Sequence, residues 1–361
     1  MIYYALFVII LLIAFTERYS VHKPASFRKC FYIAVFVLYL IGSLRWQRGT
    51  DWSSYYYFFQ NPWTWWDTHF EIGYTLLNRL VRSITDNYTV FLFIQNAIYY
   101  GLMIHVYNSI QENEDDYKST YFILLLYSFA QGFAGMYSTR SQIASMLCLS
   151  AFCDLNRNKN IRFFIKVIIA TSFHLMAVTF VLVFFLAKYK GSYRRYIKLL
   201  LLATAVILVT PTIVINFLSR IPALSRYALM YITSTSGNLS VMGLLQWGIL
   251  LVAFIYARRY ATIKYYDTCL MIYTLGFAMY IWASVYSAYF NRVAGIFLGS
   301  ALFMIPSLFK AFKGKQSLII FGIFGLYCFM AFYVLLNGEY SVLYLPYKSI
   351  FDDFSVTTDI R

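Results

Sequence analysis

Two arginines and an aspartate crowd the stretch "RWQRGTDWSSYYYFFQ", residues 45–60, directly after a long apolar run. These residue types bind anions and move protons. A guanidinium is a planar fork suited to bidentate capture of phosphate or carboxylate, and a carboxylate beside a hydroxyl can accept its proton. A purely structural account covers the same residues. Arg45 and Arg48 would lie near a helix C-terminus, where cations are favoured, with Gly49 as the helix stop and Asp51 as the N-cap of a short following helix. Both accounts stay open on these residues alone.

A second acid follows in "NPWTWWDTHFEIGYTLLNRLVRSITDN". Asn61-Pro62 ends the short helix, and Trp63, Trp65 and Trp66 suit a membrane headgroup region. From Asp67 the pattern turns amphipathic, with Phe70, Leu77, Leu80, Val81 and Ile84 as the expected apolar face. Asp67, Glu71, Asn78 and Arg82 fall opposite. Thr68 and Glu71 fit a capping box; the competing reading turns Glu71 toward the cavity of Arg45, Arg48 and Asp51.

The elements that must position these groups are membrane helices. The chain of 361 residues is 61% hydrophobic and only 12% charged, with apolar runs separated by short polar loops. That composition specifies an all-α polytopic membrane protein. Apolar segments fall near 2–16, 30–45, 88–107, 120–136, 141–154, 163–173, 175–187, 198–217, 241–257, 267–285, 293–309 and 317–336, which predicts about 10–12 transmembrane segments. The first lacks a basic leader and a small-residue cleavage site and reads as a retained span. The five cysteines show neither zinc spacing nor a disulfide framework, and the four histidines form no metal-ligand cluster. No metal and no cofactor are expected. The net charge of +15 reads as a loop signal of orientation, not as a nucleic-acid surface.

With the N-terminus outside, 20 of the 30 Lys and Arg residues fall on the inner side, including twelve of thirteen lysines. The outer side holds Lys348 and nine arginines, at 45, 48, 79, 82, 140, 220, 226, 292 and 361. Lysines thus obey the positive-inside rule while these arginines oppose it, which points to an anionic ligand outside. The same rule bears on "FFIKVIIATSFHLMAVTFVLVFFLA". As one helix it would put the basic loops before and after it on opposite sides. Keeping both inside requires a turn at His174. Each limb then spans only roughly 16–20 Å, short of a ~30 Å hydrocarbon core, so the pair must sit within protein. A histidine there is a candidate functional group.

The succession "RxxRGTDWxxY", "FEIGYTLL", "TRSQIA", "SFHLMA" and "FNRVAGIF" resembles the EpsG family of Wzy-type polysaccharide polymerases, over most of residues 30–310. The resemblance implies a GT-C-like architecture. It implies transfer of a growing glycan from undecaprenyl pyrophosphate to a sugar hydroxyl of an incoming lipid-linked repeat unit, at the outer face of the bacterial inner membrane. Arg45, Arg48, Arg140 and Arg292 would bind pyrophosphate, and Asp51 or Glu71 would be the base, with His174 as rival and Asp51 slightly favoured. The implied partners are undecaprenyl-pyrophosphate-linked oligosaccharides, membrane lipid and a Wzz-like chain-length regulator, with no nucleic acid. Residues 1–336 would form one integral membrane domain with outer loops at 46–86 and 218–240, and 337–361 a periplasmic tail without an assigned role. A lipid-linked oligosaccharide flippase, an O-antigen ligase and a membrane O-acyltransferase are the alternatives. The flippase is disfavoured because no internal repeat is visible, and the acyltransferase because the outer arginines would be surplus.

Overall fold

A computed structural model describes residues 2–20, 24–63, 70–112, 119–209, 220, 240–261, 263–286, 289–312, 314–339 and 341–352. The expected 218–240 loop lies outside them except at its edges, as do Trp65, Trp66, Asp67, Thr68, Arg226 and Arg361. Among these described residues fifteen α-helices follow in order: α1 (Ile2–Tyr19), α2 (Pro24–Ser43), α3 (Trp52–Gln60), α4 (Ile72–Arg82), α5 (Tyr88–Glu112), α6 (Tyr121–Gly132), α7 (Arg140–Asn156), α8 (Asn160–Phe173), α9 (Leu182–Lys188), α10 (Tyr193–Val209), α11 (Val241–Ala257), α12 (Tyr266–Tyr286), α13 (Tyr289–Leu298), α14 (Ala301–Lys310) and α15 (Lys315–Asn337). No strand occurs among the described residues beyond a single antiparallel bridge between Arg45 and Ser349.

The all-helical membrane class is as expected. Among the described residues five helices are long and apolar enough to cross a membrane, and α13–α14, bent by 43°, makes a sixth if counted as one span. The expected segment 293–309 is that broken pair. Other apolar segments form short helices: α6 has 12 residues and α7 has 17. At 1.5 Å per residue neither reaches ~30 Å, and such short helices are tolerated at membrane depth only inside protein or against a cavity.

The chain forms two compact units. The first comprises residues 1–153, 168–175 and 312–361. In it α6 packs against α1 and α15, and α2 against α5. An aromatic cluster that includes Trp46, Trp52, Tyr55, Phe59, Tyr74 and Phe91 joins α3, α4 and α5. Glu17, near the end of α1, accepts the backbone N–H groups of Tyr121 (3.0 Å) and Phe122 (2.8 Å), so it satisfies the orphan donors opening α6. The second unit comprises residues 154–167 and 176–311, where α12 packs against α10, α11, α13 and α14.

Two expectations about residues 46–86 need correction. The helix before "RWQRGTDW" stops at Ser43, and Gly49 lies instead in an irregular turn, at φ +108°. Helix α4 splits the expected apolar face: Val81 is buried in the aromatic cluster, with Phe70 and Leu77 packed against it. Its buried stripe is Tyr74, Thr75, Asn78 and Val81, while Leu80 is 62% exposed and Ile84, just beyond its end, 77%. Asn78, on the expected polar face, is buried and donates to the Tyr74 carbonyl at 2.8 Å.

Candidate functional site

Three separated stretches of the first unit meet at Glu71. The residue is the N-cap of α4 itself, with extended backbone (φ −68°, ψ 155°) and no side-chain cap bond; Thr68, its expected capping-box partner, lies outside the described residues. Its carboxylate turns away from its own helix. One oxygen accepts the backbone N–H of Leu175 at 3.0 Å and lies 3.2 Å from His174 Nδ1. The other pairs with Arg140.

Each partner is delivered by an identifiable device. His174 is the break between α8 and a 3-10 turn, Leu175–Val181; its own N–H still bonds Ala170 (2.9 Å) while the next N–H is an orphan donor that Glu71 satisfies. The chain does reverse there. Rings of Phe164 and Phe184 are 5.0 Å apart, where a straight helix of that length would separate them by about 30 Å. Gly73 lets α4 approach this break: a Cβ on it would collide with Ser172 Oγ and lie 2.8 Å from the Ser172 carbonyl oxygen.

Arg140 opens α7 at "TRSQ", where a glutamine side chain reaches back to the residue before the helix. Gln142 Oε1 accepts the Thr139 N–H at 3.2 Å. Before it, Phe133, Ala134 and Gly135 all have positive φ, a costly turn for the two non-glycine residues. The guanidinium stacks on Phe70 at 4.9 Å. Its side chain is 16% exposed and that of Glu71 is 21% exposed, so the pair is largely but not wholly screened from solvent. Arg140 Nε is buried and has no hydrogen-bond acceptor among the described residues.

The arginines of the opening motif hold backbone. Arg45 is buried and donates to the carbonyls of Gly42 (3.2 Å), Met136 (2.6 Å) and Ser138 (3.2 Å). Ser138 also meets Gln95 and Asn96 of α5, with Gln95 Nε2 donating to its carbonyl at 2.5 Å. The segment that presents Arg140 is therefore fastened from three sides. Arg48 donates to the carbonyls of Pro346 (2.5 Å) and Gln47 (3.0 Å). The tail completes this turn: Trp46 N bonds Lys348 O (2.9 Å), Gly49 N bonds Leu343 O (2.8 Å) and Ile350 N bonds Leu44 O (2.9 Å). Asp51 is the N-cap residue of α3, left-handed at φ 57°, exposed, and without a side-chain cap bond. Arg292 is exposed on α13 in the second unit.

The site thus unites Glu71, Arg140 and His174, with Arg45 and Arg48 as supports of the adjoining turn. Sequence reasoning missed Gln95, Asn96, Ser138, Gly73 and the tail. Two adjacent amides inside the apolar run "FLFIQNAIYY" were the available signal, since polar groups in a membrane helix are costly unless paired. Among the described residues no group of three or more His, Cys, Asp or Glu could hold a metal ion.

Neither a curated protein nor a solved structure matches this chain significantly. The EpsG family description matches residues 28–349, which takes in all three stretches that meet at Glu71. This membrane protein belongs to the EpsG family, and with it to polysaccharide biosynthesis.

Proposed function

We propose that the protein is a polysaccharide polymerase that moves a growing glycan from undecaprenyl pyrophosphate to a hydroxyl of an incoming lipid-linked repeat unit, at the outer face of the bacterial cytoplasmic membrane. The observation that carries this reading is the convergence of an arginine and a histidine on the Glu71 carboxylate. In the reaction the acceptor oxygen forms a bond to the anomeric carbon, the bond from that carbon to the pyrophosphate oxygen breaks, and the hydroxyl proton leaves to a base. The pyrophosphate departs with its lipid.

His174 is the base in this reading. Glu71 at Nδ1 orients the imidazole and favours the tautomer whose Nε2 accepts a proton, the role an acid plays beside any catalytic histidine. This assignment moves Asp51 from first place, because the exposed Asp51 lacks a comparable partner set while Glu71 holds the histidine. Arg140 meets the leaving pyrophosphate, using the part of its fork that Glu71 does not occupy. A fixed guanidinium in a partly dry site stabilises developing negative charge without reorganisation. Arg45 and Arg48 hold the turn and the Arg140 segment in place.

The test is release of undecaprenyl pyrophosphate by purified protein given two lipid-linked oligosaccharides. Release matched by glycan lengthening supports the reading. Movement of intact lipid-linked units across vesicles without release would identify a flippase instead.

A further inference from the structure

The second unit contains a groove of about 950 Å³ between α10, α11 and α12, made by residues that the proposed reaction does not use. Its walls are graded in polarity along their length. Helix α10 enters with Arg194 and Lys198 and continues with Leu201. Helix α11 runs the other way, from Leu251 and Ile255 to Arg258 and Arg259. Helix α12 starts beside Arg258, through Asp267, and proceeds to Phe277 and Ile281. All three helices therefore place polar residues at one end and apolar residues at the other.

The cationic end is built around fixed contacts. Arg258 is held bidentately by Asp267 (2.6 Å to each oxygen) and lies over the Tyr193 ring at 5.4 Å. Arg259 lies over Tyr256 at 5.1 Å. Asp267 offsets one charge, and no carboxylate is among the described residues that line the groove. The wall thus carries surplus positive charge above an apolar slot. These cations come from "KYKGSYRRYIK" and "ARRYATIKYY", the loops rich in lysine.

We propose that this groove binds an anionic phospholipid, with the phosphate headgroup against Arg194, Lys198 and Arg259 and the acyl chains along Leu201, Leu251 and Ile281. Charge complementarity selects the headgroup. A basic pocket between membrane helices is a known physical solution for anionic headgroups, and guanidinium forks suit phosphate oxygens. The apolar length below the cations requires an amphiphile; a soluble phosphate would leave it empty.

Trp282 gives a local reporter, because its Nε1 donates to Thr204 Oγ1 of the groove wall at 3.2 Å. The full chain is placed in vesicles that mix phosphatidylglycerol with phosphatidylcholine, with bromine on the acyl chains of one lipid at a time. The Trp282 signal is the difference between wild type and Trp282→Phe. Brominated phosphatidylglycerol is expected to quench it beyond its bulk fraction, and brominated phosphatidylcholine less than its own. In Arg194→Gln/Lys198→Gln/Arg259→Gln that preference should fall toward unity. Arg259→Gln alone should lower it by on the order of fivefold, as for one cation near an anionic surface, and serves if the triple variant folds poorly. Equal quenching by the two lipids in wild type would overturn the proposal. So would an unchanged preference in Arg259→Gln, or displacement of the lipid by inorganic phosphate alone.

Discussion

Replacing Gly73 by alanine tests how the site is assembled without touching any group assigned to chemistry. The added methyl would collide with Ser172 Oγ and sit 2.8 Å from the Ser172 carbonyl oxygen. The hydroxyl, bonded to Ile169 O at 2.7 Å, can rotate away. The carbonyl belongs to the backbone of α8 and cannot. Ordinary contact begins at 3.4 Å, so the shortfall is 3.4 − 2.8 = 0.6 Å, and α4 must retreat by that order. Glu71 lies two residues before Gly73 and His174 two after Ser172, so the retreat widens the contact between them. A misplacement near 1 Å can cost about 10²-fold in rate, and most of that loss is expected here, alongside the about 1–3 kcal/mol of stability that overpacking costs. The assay is polymerisation of lipid-linked repeat units by purified protein. Adding Ser172→Ala should not restore activity, because the carbonyl clash persists. Wild-type rates in Gly73→Ala, or rescue by Ser172→Ala, would refute the reasoning.

Other outcomes follow from the same geometry. Arg140→Lys keeps the charge but loses the fork, and should lose most of the polymerisation rate at normal expression; a wild-type rate would remove Arg140 from the phosphate contact. Arg45→Gln should act on stability, since it strands buried carbonyls at about 1–3 kcal/mol each, and a thermal unfolding assay in detergent should register a clear drop. Reporter fusions at Lys159 and Lys190 should report the same compartment, because the limbs that flank His174 fold back on each other. Opposite compartments would contradict the reversal.

The hairpin was legible because charge and length conflict in that stretch: no straight helix satisfies both basic loops. The short helix after Asp51 and its end at Asn61 were legible from local backbone chemistry, which depends on neighbours in sequence. The apolar face of α4 was legible at Phe70, Leu77 and Val81 but not at Leu80 and Ile84, which lie exposed. The pairing of Glu71 with Arg140 and His174 was likewise hidden. It joins residues 69 and 103 positions apart, and only the close approach at Gly73 and the strained turn before Arg140 bring them together. The sequence grouped Asp51 with Arg45 and Arg48 correctly as one turn, yet it could not reveal that carbonyls from the 136–138 segment and the tail occupy those guanidinium forks.

The most direct measurement compares Glu71→Gln, His174→Asn and Asp51→Asn in the undecaprenyl pyrophosphate release assay. The Glu71→Gln variant retains an acceptor for the Leu175 N–H but loses the charge that holds His174 and Arg140, and His174→Asn removes the imidazole. Each of these two should lose roughly 10²–10⁴-fold in rate, the contribution of a positioned acid–base group, while remaining folded. Asp51→Asn should stay within a few-fold of wild type, since Asn suits both an N-cap and left-handed backbone. Normal release by Glu71→Gln and His174→Asn together with loss in Asp51→Asn would contradict the account and return the proton transfer to Asp51.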